Sequence, residues 1–446
     1  MIETMDTIVA AATPPGVGGI SVVRISGPAA ETIAGAMLGS LPEPRRATHL
    51  AFFGARGEQI DSGIALYFPA PGSFTGEPVV ELQGHGGPIV VGLLVDAAVA
   101  LGARLAEPGE FTRRAFLNDR LDLAQAEAVA DLVSSGTEQA ARAALRTLTG
   151  AFSTEVDALV EQLTQLRICV EAAIDFPEEE IDFLADADLA ARIETCASAF
   201  ATLTLKTSSG RVLRDGYRVV IVGKPNAGKS SLLNYLSGED AAIVTELAGT
   251  TRDILREQIN IDGLAVELVD TAGLRENPDR IEEEGIRRAR EAIRSADAVL
   301  WIQDATEASN VEPDEEIPKG AQVVVVRNKI DLTSDAPSEP GDKSGVVNLS
   351  AKTGAGVDAL RARIRNLAGY RHFGEGAVTA RKRHVDALRR AAKHFEAGRK
   401  ALADSRAGEL FAEELRLAQN ALGEITGAVS SDDLLGRIFA DFCIGK

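Results

Sequence analysis

The sequence has no run of about 18 uninterrupted apolar residues, so nothing in it reads as a membrane-spanning helix. Its first residues, Met1-Ile2-Glu3-Thr4-Met5-Asp6, are acidic and lack the basic start and small-residue cleavage site of a secretory signal. The chain is therefore expected in the cytoplasm. Cysteine is scarce: Cys169, Cys196 and Cys443 are an odd, widely spaced set in which no disulfide framework or zinc pattern can be read. Aromatic residues make up only 4%, which leaves the core to Ala, Leu, Val and Ile. Basic residues are outnumbered, 47 Lys and Arg against 66 Asp and Glu, and the net charge of −19 argues against indiscriminate binding to nucleic acid or anionic membrane. What remains is an ordinary globular balance, 45% hydrophobic and 25% charged, in 446 residues, enough for about three domains.

Residues 1–120 read as an α+β domain. Short β-branched runs at 7–10, 20–25, 63–68 and 79–83 lie between Gly and Pro clusters, and residues 89–101 read as a helix. Residues 121–214 change to Ala, Leu, Glu and Arg at helical spacing, as in Leu121, Leu123, Ala126, Val129, Ala130 and Val133. Residues 215–370 alternate apolar strands (218–223, 265–270, 298–303, 322–328, 346–349) with helical stretches, the pattern of a doubly wound parallel sheet. Residues 371–446 return to the helical composition. The expected architecture is multidomain: an N-terminal α+β domain, then a discontinuous all-α domain (121–214 and 371–446) interrupted by an α/β phosphate-loop G domain. Such insertions are tolerated because domain termini often lie close together.

Gly223-Lys224-Pro225-Asn226-Ala227-Gly228-Lys229-Ser230 fits G-x-x-x-x-G-K-[ST], follows a strand and precedes a helix, the context the motif needs. Glycines let backbone N–H groups close around phosphate oxygens, and the helix N-terminus adds favourable partial charge. Lys229 reaches the β- and γ-phosphates, the Ser230 hydroxyl ligates Mg²⁺, and Ser231 continues the contact into the helix. Asp270-Thr271-Ala272-Gly273 ends the next clear strand, the place for a carboxylate on the Mg²⁺ shell and a Gly N–H at the γ-phosphate. Asn328-Lys329-Ile330-Asp331 ends a later strand, where Asp331 can accept both the ring N–H and the exocyclic amine of guanine, a pair adenine cannot supply. Ser350-Ala351-Lys352 completes the base pocket. Four motifs in order at strand ends define a GTP-binding domain.

Two departures from small signalling GTPases matter. Leu274 follows Gly273 where those proteins carry a water-orienting Gln; Glu276, Asp279, Glu282, Glu283 and Glu284 are the nearby candidates for that task. Asn226 lies inside the phosphate loop, where its amide oxygen could ligate a monovalent cation and so supply the charge an arginine finger gives elsewhere. The segment Thr245-Glu246-Leu247-Ala248-Gly249-Thr250-Thr251-Arg252-Asp253 is expected to cover the site, with Thr251 the second hydroxyl on Mg²⁺.

The strings GKPNAGKSS, GTTRD, DTAGLRE and NKID, together with ATPPGVGGISVVRISGP, FTGEPVVELQGHGG, PGEFTRRAFLNDRLDLAQAEAVADL and the terminal SDDLLGRIFADFCIGK, resemble the MnmE (TrmE) family of bacterial tRNA-modification GTPases over the whole chain. The resemblance implies a folate-binding, dimerising N-terminal domain and a homodimer. It implies a flavin-binding partner, MnmG (GidA), in a heterotetramer, and an aminomethyl-type group placed on C5 of the wobble uridine of certain tRNAs. It implies K⁺ activation with Asn226, Thr245, Leu247 (through its carbonyl) and Thr250 as ligands, Mg²⁺ on Ser230 and Thr251, and Glu282 as the water-orienting acid. For 5-formyltetrahydrofolate or a related one-carbon donor, the family's Arg, Glu and Lys fall on Arg24, Glu81 and Arg120, with the terminal Lys on Lys446. Arg120 departs from Lys and keeps the charge with a different geometry.

Cys443 is the fourth residue from the end of the sequence, where a thiolate could add to a pyrimidine ring or a one-carbon intermediate. Residues 434–439 are amphipathic enough to dock on the helical domain and hold it. Residues 381–400 hold eight Lys and Arg against two acids, a basic surface suited to phosphates or a solvated face. Two other functions compete. A GTP-gated ribosome-assembly factor would need an RNA-binding module, for which Gly84-His85-Gly86-Gly87 is the only approximate GxxG loop; a folate-binding scaffold would use the G domain as a shape switch.

Overall fold

The computed structural model describes residues 6–175, 187–239, 256–270, 294, 296–307, 322–342, 344–369, 376–429, 432–440 and 442–445. The chain divides into two compact units, one of Met1–Ala130, Leu148–Val160 and Gln419–Lys446, the other of Asp131–Thr147 and Glu161–Ala418.

The first unit is built on a six-stranded sheet of β1 (Ile8–Ala11), β2 (Gly18–Ser26), β3 (Thr48–Phe53), β4 (Gln59–Phe68), β5 (Val79–Gly86) and β6 (Arg104–Leu105), in the order β3-β4-β5-β2-β1-β6. Alternation along β2 and β5 sends Val23, Ile25, Val80 and Leu82 to one face. There α1 (Ala30–Leu38) and α2 (Pro88–Ala100) cover them with Ile33, Met37, Leu94 and Ala98. The opposite alternation pairs Arg24 with Glu81 across the strands. Behind the sheet, α3 (Glu110–Leu117) carries Arg114, 1% exposed and bound to Asp6, Glu77 and Glu110 at 2.8–3.2 Å. A buried guanidinium is tolerated because three carboxylates meet it. Although burial pushes the Glu110 carboxyl up, hydrogen bonds from Arg104, the Glu107 N–H and Arg114 hold it below its ordinary value.

The second unit holds the other six-stranded sheet: β7 (Tyr217–Gly223), β8 (Arg256–Ile261), β9 (Leu264–Asp270), β10 (Ala298–Asp304), β11 (Gln322–Asn328) and β12 (Val346–Asn348), in the order β12-β11-β10-β7-β9-β8. Its five ladders are not all parallel as the alternating pattern suggested: the edge strand β8 runs antiparallel to β9. The cause is local. Asp262 and Gly263 both take positive φ, 51° and 91°, and close a two-residue hairpin between Ile261 and Leu264. The further helices among the described residues are α4 (Leu123–Val133), α5 (Glu138–Leu148), α6 (Ala151–Asp175), α7 (Ala187–Asp215), α8 (Lys229–Glu239), α9 (Val357–Leu367), α10 (Lys382–Ser405), α11 (Gly408–Thr426) and α12 (Asp432–Ala440). Within the second unit α7 and α10 pack through Phe200 and Phe395, ring centroids 5.2 Å apart. Asp131, 4% exposed at its side chain, accepts from Arg214 at 2.9 Å and Arg381 at 2.8 Å, so three distant chain segments meet at one carboxylate.

Candidate functional site

Strand β7 is buried and β-branched up to Val222 and sits between β9 and β10, so the chain leaves the sheet at its centre. Gly223 is where it leaves, because a Cβ there would strike the Ile302 carbonyl. Gly228 has φ +92°, and its missing side chain is the space taken by the Asn328 amide. Asn226 also takes a left-handed φ of 63° and is exposed. Lys229, first residue of α8 and 7% exposed, donates from Nζ to the carbonyls of Gly223 and Lys224, each at 2.8 Å. Its ammonium is thereby held at the mouth of the loop, beside the N–H groups at the start of α8. Ala227 is buried, and Ser230 and Ser231 are exposed on the first turn of α8. This cradle of left-handed backbone, a cation and a helix N-terminus can hold a polyphosphate.

The second half of the site is tied to the first through Asn328, the last residue of β11. Its amide donates to the Ala227 carbonyl at 2.9 Å and accepts from the Ala351 N–H at 2.9 Å. The loop and the turn after β12 are thus locked together by one buried side chain. Asp331 is exposed, and buried Ser350 donates to its Oδ1 at 2.6 Å, which fixes the plane of the carboxylate. Lys329, at φ +68°, donates to Asp304 at 2.6 Å. That hydrogen bond, helped by the Thr306 hydroxyl and N–H, pulls the Asp304 carboxyl down to about 2. Sequence reasoning missed Asp304; the signal available was an acid closing β10 beside the Asn328-Lys329 strand end. Lys352 is exposed on the turn beyond.

In the first unit, Arg24 and Glu81 pair at 2.9 Å, with side chains 22% and 16% exposed. The Arg24 guanidinium lies 5.7 Å from the Phe74 ring centroid and 5.6 Å from that of Phe111. Phe111 is buried on α3, whereas Phe74 is 38% exposed on the loop before β5. That loop is pinned by Asn118, whose amide donates to the Thr75 carbonyl at 2.7 Å, and by the Glu77–Arg114 pair. Arg120 is exposed, and its side-chain carbons lie alongside Gly76 of the same loop. Arg24 and Arg120 therefore share one neighbour, the 73–77 loop, with Glu81 joined to it through Arg24, and Phe74 is a residue sequence reasoning did not single out.

The terminal segment is docked. Leu435, Ile438, Phe439 and Phe442 form one cluster with Leu123 and Ala126, as the amphipathic pattern predicted. Gly109, left-handed at φ +68°, approaches Phe442, and its N–H donates to the Cys443 carbonyl at 3.3 Å. Cys443 itself is exposed. Gly445, at φ +95°, is packed on the Ala11 carbonyl where no side chain fits. The GxxG segment of the assembly-factor reading is no loop: Gly84, His85 and Gly86 are strand residues of β5 paired to β2. Thr245, Glu246, Leu247, Ala248, Gly249, Thr250, Thr251, Thr271, Ala272, Gly273, Glu282 and Lys446 lie outside the described residues. Asp270 ends β9, and its side chain is outside them too.

Comparison with known proteins agrees with this arrangement. The model for the GTP-binding protein TrmE N-terminus matches residues 7–120, and the MnmE helical domain model matches residues 123–443. Curated relatives include a tRNA modification GTPase MnmE of Pectobacterium carotovorum subsp. carotovorum, 53% identical with all of both chains covered. Another is that of Yersinia pseudotuberculosis, 52% identical and likewise covered in full. A solved GTP-binding protein of Sulfolobus solfataricus in complex with GDP is 20% identical over 47% of this chain and 66% of that one, at a TM-score of 0.26. The full-length identity and the two family models place the chain in the MnmE family of tRNA modification GTPases.

Proposed function

We propose that the chain is a K⁺-activated GTPase which, with a flavin-binding partner of the MnmG (GidA) type in a heterotetramer, drives addition of an aminomethyl or carboxymethylaminomethyl group to C5 of the wobble uridine of certain tRNAs in the cytoplasm. The observation that carries the reading is the Asn328 bridge, which joins a phosphate-sized cradle to an exposed, Ser350-fixed carboxylate able to read guanine. Gly223 and residues 226–231 would hold the phosphates, with Lys329 and the 350–352 turn around the base. Ser230 and Thr251 would hold Mg²⁺, which neutralises phosphate charge when bound. Asn226, Thr245, Thr250 and the Leu247 carbonyl would hold K⁺, and the exposed, left-handed Asn226 supports that assignment. Leu274 cannot hydrogen-bond water, and among the acids that follow it, Glu276, Asp279, Glu282, Glu283 and Glu284, the family resemblance assigns Glu282 to orient the attacking molecule.

Arg24, Glu81, Arg120 and Lys446 would hold a tetrahydrofolate, which supplies a one-carbon unit when bound. The residues fit such a group, because the Arg24–Glu81 ion pair lies close to the Phe74 and Phe111 rings and Arg120, at the same 73–77 loop as Phe74, offers a second guanidinium able to grip a carboxylate tail. Cys443, exposed on a docked tail, would meet the substrate. A strain lacking the gene provides the test. The wild-type chain should restore wobble-uridine modification, and Cys443→Ser should hydrolyse GTP normally yet fail to restore it. Full restoration by that variant would remove Cys443 from the chemistry, and no restoration by the wild type would contradict the whole reading.

A further inference from the structure

Helix α10 (Lys382–Ser405) has a buried face of His384, Ala387, Leu388, Ala391, Phe395 and Gly398. Its outer face carries a line of cations. Lys382, Arg389, Lys393 and Lys400 are all exposed. They are offset by 7, 11 and 18 residues from the first. At about 100° per residue, those offsets fall within roughly 20° of one direction, so the four project as a single stripe about 27 Å long. We propose that this stripe docks the phosphodiester backbone of tRNA. The proposal rests on the family's tRNA role and assigns that contact to one surface.

Three features separate the stripe from an ordinary solvated face. Exposed arginines on other helices of this unit are paired with an acid one turn away, as Arg142 with Glu138, Arg192 with Asp188 and Arg416 with Glu413. Lys382, Lys393 and Lys400 have no carboxylate within ion-pair distance among the described residues. Of the acids beside the stripe, Asp386 pairs with Arg389 of the stripe at 3.4 Å and Glu396 with Arg399 at 3.2 Å, while Asp404 stands exposed one turn beyond Lys400. Third, the stretch 381–400 is strongly positive in a chain of net charge −19, so the field around it is local. Non-specific attraction of a polyanion to the whole molecule is thereby suppressed, and attraction to this line is kept. A straight row of three ammonium groups and the Arg389 guanidinium suits a row of phosphates, which recognise charge and spacing rather than sequence.

The test uses the full chain and an unmodified tRNA transcript, with affinity measured over a range of KCl concentrations. The triple variant Lys382→Glu, Lys393→Glu, Lys400→Glu should bind at least about tenfold more weakly at 0.1 M salt and lose about two units of the log–log salt slope, since each phosphate contact contributes roughly 0.7–0.9. The Lys→Arg triple should keep both affinity and slope, and GTP turnover without tRNA should be the same in all three proteins. Unchanged affinity and slope in the glutamate triple would overturn the proposal. So would an equal loss from Arg142→Glu, Arg192→Glu, Arg416→Glu, because the effect would then be net charge alone. A glutamate triple that binds tRNA normally but releases a protein partner would make the stripe a protein-docking surface and likewise overturn it. Wobble-uridine modification restored in cells by the wild type scores the family reading separately.

Discussion

Lys329 and Asp304 show how much of the nucleotide site depends on a residue outside its motifs. The Lys329 ammonium is fixed at 2.6 Å by a carboxylate from the neighbouring strand end, so its stem is aligned before any base arrives. Asp304→Asn should weaken guanine-nucleotide binding several-fold while turnover at saturating GTP stays within about twofold; titration with a fluorescent GDP reads the first, steady-state kinetics the second. The same pair has a pH signature. The Asp304 carboxyl titrates at about 2, below the ordinary carboxylate value, so its contribution to stability is complete above pH ~4 and fades as pH falls towards 2. Wild type should exceed Asp304→Asn by about 1–2 kcal/mol between pH 5 and 8, and the gap in melting temperature should close below pH 4. A gap that widens on acidification would reverse the assignment. At this scale the sequence was readable where a residue belongs to a contiguous motif, as Lys229 and Asn328 do. Asp304 and Phe74 were not, because each acts through a partner 25 or more positions away, Lys329 or Arg24.

Among the elements, the terminal tail is the most constrained. Phe442 is buried against Phe439, centroids 5.4 Å apart, and Gly445 lies on the Ala11 carbonyl in a left-handed conformation. Gly445→Ala should lift the last residues off β1 and abolish tRNA modification in cells, with GTP turnover unchanged; normal modification would mean the tail works undocked. The strands β7, β9, β10, β11 and β12 were legible because buried β-branched runs stand between Gly, Asn and Asp at their ends. The β8–β9 hairpin was legible only in its Asp262-Gly263 pair, since Arg256, Glu257, Gln258 and Asn260 hide the strand's alternation under polar residues. Similarly β3, α1 and α3 escaped notice: α3 buries a charged Arg114 and Glu110, which no hydrophobic pattern reports. The docking of residues 434–439 was visible in its period because Leu435, Ile438 and Phe439 fall on one helical side, whereas Phe442, beyond the end of α12, was not singled out.

At the scale of the molecule, the architecture of an N-terminal α+β domain, a discontinuous helical domain and an inserted phosphate-loop domain is the one that composition, periodicity and the phosphate-loop motif suggested. The first unit also displays what composition cannot, an apolar surface. Val17, Ile20 and Ile444 are 91%, 72% and 63% exposed, around a groove of about 670 Å³ lined also by Thr13, Pro14 and Val91 among others. A cluster of this kind marks an interaction site, and we propose it as the interface of the homodimer that the family resemblance implies. Val17→Asp with Ile20→Asp should convert a dimer to monomer by light scattering without changing GTP affinity; a variant that remains dimeric would move the interface elsewhere. The central claim, a cation-activated GTPase of the tRNA-modifying family, is tested most directly by GTP turnover of the full chain in KCl and in NaCl at equal ionic strength. Turnover should be many-fold faster in KCl, and Asn226→Ala should remove the difference while still binding GTP. Equal rates in the two salts would contradict the account.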